Sequence, residues 1–171
     1  MAIHTISVLV ENRPGALARV SNMFARRGYN IESLAVGPTE RPDVSRITLR
    51  VDCSVHSLEQ IVKQMHKLVN VLRVNELEAE TAVERELALI KVSAPPDKRA
   101  ELLALAEVFN ARVADLGPDA IVFEVVGPPD ELDSFQELVR PHGVKELVRT
   151  GRIGLGRSSL RKAPPKQHAL R

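Results

Sequence analysis

From residue 3 to 10 the chain is rich in β-branched residues, and Ile6, Val8 and Val10 alternate with Ser7 and Leu9. This pattern predicts a strand. From Pro14 the period lengthens: Ala16, Leu17, Val20, Met23 and Phe24 share one face at helical spacing, with Pro14 suited to the first turn and Gly28 to a left-handed cap. Residues 30–36 return to extended structure, and a turn-rich segment, 37–43, follows with two prolines. Ile47, Leu49 and Val51 then alternate with Arg46, Thr48 and Arg50, which predicts a strand with one face on a core and the other in water. Ser57 and Gln60 form a capping-box pattern ahead of Leu58, Ile61, Val62, Met65 and Leu68, and a last strand spans 71–77.

Read in order this is β-α-β-β-α-β, the split βαβ arrangement of ferredoxin-like domains. The same order repeats. A strand at 87–92 precedes a helix led by Pro95-Pro96-Asp97 and carrying Leu102, Leu103, Ala106 and Phe109. Strands at 112–116 and 121–126 flank the turn Gly117-Pro118-Asp119. Asp130 is placed to cap a helix bearing Leu132, Phe135, Leu138 and Val139, and a final strand runs 144–149. The expected architecture is α+β, two tandem ferredoxin-like βαββαβ domains at 1–78 and 87–151, with a connector at 79–86 and a flexible basic tail at 152–171. A domain this small has a marginal core, so pairing with another copy is expected.

Charge and composition narrow the function. The net charge of +2 hides an asymmetry: residues 152–171 hold six basic side chains and no acid, which leaves −4 for residues 1–151. With four Phe, one Tyr and no Trp, the body has little to stack on bases, which argues against a nucleic-acid groove. No apolar run approaches the roughly 20 residues that span a bilayer. A single cysteine, Cys53, excludes an intrachain disulfide, and with no export-like opening the expected compartment is a reducing cytoplasm.

Catalytic signals are sparse. The histidines, His4, His56, His66, His142 and His168, are dispersed, no metal-binding spacing occurs, and Cys53 reads as a small apolar side chain at a strand end. Neither a nucleophile elbow nor a phosphate loop is present, and Gly154-Leu155-Gly156 has no helix after it. What remains is the strand-to-helix turn Glu11-Asn12-Arg13-Pro14-Gly15-Ala16-Leu17. It suits a small zwitterion: Gly15 permits close approach, helix N-terminal amides attract a carboxylate, and Asn12 offers both a donor and an acceptor. The same residues also serve as ordinary turn and cap chemistry, and residue types alone leave both readings open.

The run from Glu11 to Val20, followed by Arg27-Gly28-Tyr29-Asn30-Ile31 and Val36-Gly37-Pro38-Thr39-Glu40, closely resembles the N-terminal ACT domain of the acetolactate synthase small-subunit family. The second half, from Glu84-Arg85-Glu86-Leu87, resembles that family's C-terminal ACT-like domain. The resemblance implies a non-catalytic regulatory subunit that binds the large catalytic subunit, activates it and confers feedback inhibition by valine or a related branched-chain amino acid. It further implies a homodimer through the ACT domains with the effector at their interface. Asn12, Gly15, Ala16 and Leu17 would line the turn side and Asn30 and Ile31 the facing strand. Thiamine diphosphate, magnesium and FAD would belong to the catalytic partner, with no cofactor or metal in this chain. Two other readings stand beside it: an ACT-domain amino-acid sensor for a different enzyme, and a ferredoxin-like nucleic-acid-binding module that uses the basic tail.

Overall fold

A computed structural model of the chain describes residues 3–158. The chain divides into two units, one reaching Val83 and resuming at Arg152, the other spanning Glu84–Gly151. The first unit runs β1 (Ile3–Glu11), α1 (Ala16–Arg27), β2 (Ile31–Pro38), β3 (Val44–Asp52), α2 (Leu58–Met65) and β4 (Val71–Leu77), with sheet order β2-β3-β1-β4. All neighbours pair antiparallel. This is the ferredoxin-like topology that the alternation predicts. Ile6, Val8, Val10, Ile47, Leu49 and Val51 point to one face, where Val20 and Phe24 of α1 and Ile61 and Met65 of α2 close the core.

Local chemistry explains the helix ends. α1 begins at Ala16, two residues after Pro14, because Gly15 takes the left-handed region (φ 85°) and makes the turn. It ends at Gly28 (φ 67°), whose amide bonds back into the last turn, as the sequence predicts. The Ser57 hydroxyl accepts from the Gln60 amide at 3.3 Å and starts α2. β3 departs from expectation in one respect. Its outward face is not simply in water: Thr48 there is 3% exposed, and the neighbouring Ser7 of β1 is 1% exposed.

The second unit repeats the topology with β5 (Ala82–Ser93), α3 (Arg99–Val108), β6 (Arg112–Leu116), β7 (Ala120–Gly127), α4 (Pro129–Val139), a 3-10 turn (Arg140–His142) and β8 (Val144–Arg149), in sheet order β6-β7-β5-β8. Phe135 of α4 lies edge-on to Phe123 of β7, with ring centroids 5.6 Å apart, at the centre of its core. The guanidinium of Arg149 forks onto the buried Glu86 carboxylate at 2.7 and 3.0 Å and also reaches Asp133 at 2.5 Å, tying β8 to β5 and α4.

Three details correct the sequence reading. Residues 82–86, expected in the connector, form the start of β5. Residues 153–156, expected in the flexible tail, form a short strand, β9 (Ile153–Gly156), that pairs with β5, and the Arg157 amide donates to the Thr81 carbonyl at 2.8 Å. Asp130 is not the cap of α4: Pro129 takes the first helical position, and Asp130 lies inside the first turn, where its charge suits the helix dipole. The rest of the expected tail, 159–171 with His168, lies outside the described residues.

Candidate functional site

Asn12 follows the last residue of β1 and is held from both sides. Its backbone amide donates to the Asp43 carbonyl at 2.8 Å, and its side-chain Nδ2 donates to the Pro42 carbonyl at 2.9 Å. The donor end of the carboxamide is thus occupied, which leaves Oδ1 as a fixed acceptor for an ammonium group. The same two bonds fasten the β2–β3 loop to the turn. Nothing local in the sequence signals this clamp, because the partners lie 30 residues away.

Beyond Asn12 the chain turns through Gly15. A Cβ at Gly15 would meet nothing within 4 Å, so the space above the α1 N-terminus is open. The Ala16 amide already donates to the Arg13 carbonyl at 3.2 Å, and the Ala16 side chain is buried. Among the described residues the Gly15, Leu17 and Ala18 amides have no acceptor. A carboxylate at this N-terminus would therefore meet the first-turn amides other than that of Ala16. Leu17 is 39% exposed and gives the opening an apolar wall.

Asn30 and Ile31 are not beside this turn. Ile31 opens β2 opposite Val51, while Glu11 pairs with Val44 at the other end of β3. That separation is seven positions along a strand, about 23 Å. The Asn30 side chain is exposed, and Ile31 is half-buried against the core. β2 lies at the edge of its sheet. One chain thus presents the two halves of the candidate site at opposite ends of the sheet.

Cys53 is half-buried against the first core, and burial pushes its thiol above the ordinary value. Among the described residues no group of three or more His, Cys, Asp and Glu gathers as a metal site, and no helix is long and apolar enough to cross a membrane. In the β2–β3 loop, Arg41 hydrogen-bonds Asp43 at 2.8 Å and holds its carboxyl below the usual carboxylate range.

Comparison with known proteins gives this geometry a family. A model described as "AHAS small subunit-like ACT domain" matches residues 6–73, and one described as "Small subunit of acetolactate synthase" matches residues 85–158. A "Probable acetolactate synthase small subunit" of Archaeoglobus fulgidus is 49% identical over 156 residues, covering 91% of this chain and 98% of the relative. The chain belongs to the acetolactate synthase small-subunit family. A second member of that family, from Mycolicibacterium smegmatis, is 44% identical over 154 residues, covering 90% of this chain and 91% of its own. The crystal structure of the acetolactate synthase small subunit from Thermotoga maritima superposes with a TM-score of 0.84 at 38% identity, covering 94% of this chain and all of that one. The Asn12–Leu17 turn and Asn30–Ile31 both fall inside the segment matched as the ACT domain of these small subunits.

Proposed function

We propose that this chain is a non-catalytic regulatory subunit that binds the large catalytic subunit of acetolactate synthase, raises its activity and makes it sensitive to valine or a related branched-chain amino acid. The observation that carries the reading is the divided site. A turn with free helix N-terminal amides and a fixed acceptor oxygen lies at one end of the sheet, and an exposed amide with an apolar neighbour lies at the other, beside an edge strand. Two copies related by a two-fold axis at the β2 edges bring one half from each chain together.

In the complete site the effector carboxylate accepts from the Gly15 and Leu17 amides. Its ammonium donates to Asn12 Oδ1 and to the Asn30 oxygen of the second copy, and its branched side chain packs on Leu17 and on the second copy's Ile31. Asn12 also fastens Pro42 and Asp43, so an effector that engages Asn12 acts on the exposed 39–43 loop. That loop is a route to the large subunit. Coupling of this kind is worth about 1–3 kcal/mol when the effector favours one of two pairing states. In this reading thiamine diphosphate, magnesium and FAD are held by the large subunit, and the complex works in the cytoplasm.

The test is the acetolactate-forming activity of the purified large subunit, with and without this chain, across a valine titration. Activation that valine reverses is expected. An unchanged activity with the large subunit of the same organism would overturn the proposal.

A further inference from the structure

The outer face of the first sheet, turned away from α1 and α2, carries three arginines across its middle, with its acids, Glu11 and Asp52, only at the strand ends. Across its middle, Thr48 of β3, Ser7 of β1 and Asn75 of β4 stand opposite one another. Two guanidinium groups converge on this row: Arg46 Nη1 donates to Ser7 Oγ at 2.8 Å, and Arg73 Nε donates to Asn75 Oδ1 at 3.1 Å. Arg50 stands two positions beyond Thr48 on the same side, opposite Thr5. Among the described residues none of the three meets a carboxylate, whereas Arg41, Lys63, Lys91 and Arg149 elsewhere each pair with an acid of this chain.

We propose that this arginine-lined face docks an acidic segment of the catalytic large subunit. Each guanidinium has five N–H donors, and Arg46 and Arg73 each spend one on the hydroxyl or amide that positions them. The face is already partly dry, since Ser7 and Thr48 are almost fully buried and Arg46 and Arg50 are only partly exposed. An arriving carboxylate therefore meets oriented and partly desolvated cations, where charge pairing sets both on-rate and orientation. Arg46 and Arg50 are four residues apart on one strand, about 13 Å. One phosphate or carboxylate cannot bridge that distance, but acidic side chains along an extended segment can. Ala35 and Gly37 of β2, beside Thr48 and Arg46, keep that flank low enough for a chain to approach. No aromatic side chain stands among these strand positions to stack a base, so a protein segment fits the face better than a nucleic acid does.

The inference rests on the large subunit being the partner, and the experiment separates the two claims. Binding of wild-type chain, R50E/R73E and the neutral R50Q/R73Q to the large subunit is measured by calorimetry at low and high salt. Thermal unfolding and valine binding of each small subunit alone serve as controls. Wild-type affinity is expected to fall with salt. R50E/R73E should lose at least about tenfold with a flatter salt dependence, R50Q/R73Q should lie between, and the controls should hold. Wild-type affinity in both variants overturns the docking face alone, as does a loss that tracks unfolding in both, or a variant that loses only RNA retention. A wild-type chain that does not bind the large subunit removes the functional reading and this inference with it.

Discussion

Gly15 and Asn12 do different work within one turn. The positive φ of Gly15 aims the α1 N-terminus at open space, and the carboxamide of Asn12 is pinned to Pro42 with its oxygen turned free. Asn12→Leu removes that acceptor and one of the two loop bonds together. Valine affinity should weaken about tenfold to a hundredfold, the worth of a hydrogen bond to a charged group, and calorimetry against the unfolding temperature checks it. Unchanged affinity would take Asn12 out of the site. The residue types at this turn were legible in the sequence because strand-to-helix turns use few of them. The Pro42 clamp was not, and neither was the capture of the Ala16 amide by Arg13, because both depend on backbone directions that periodicity does not carry.

Elements were more legible than contacts. Alternation over Ile47, Leu49 and Val51 and the helical stripe from Ala16 to Phe24 gave the right strand and helix because each places one face on the same core. The connector misled because its charges hide a pattern: Glu86 sits at a buried position of β5, made tolerable only by Arg149 on β8. A charged run reads as solvated until its partner, 63 residues on, is seen. Arg149→Met should therefore destabilise the second unit by about 3 kcal/mol, because it strands a carboxylate away from water. Urea unfolding measures this, and adding Glu86→Gln to the same chain should recover part of the loss. A single change that leaves the midpoint where it was would show that water already reaches Glu86.

For the whole molecule, tandem repetition was readable because the same order of periods occurs twice, and each sheet repeats the other's strand order. The resemblance sets Asn12 to Leu17 against Asn30 and Ile31 across a dimer interface, and the registers place those two halves at opposite ends of one sheet, so the proposed site is complete only with a second copy. The most direct test mixes two damaged chains. Gly15→Asp puts bulk and negative charge where the effector carboxylate would sit in the proposed site, at a left-handed position that Asp tolerates, and Asn30→Ala empties the proposed facing half. Alone, each variant should bind no valine by calorimetry. If each site takes Gly15 from one chain and Asn30 from the other, subunit exchange in an equal mixture gives heterodimers with one intact site, and about a quarter of the wild-type valine sites should return. A mixture of folded, exchanging dimers that still binds no valine would contradict the account.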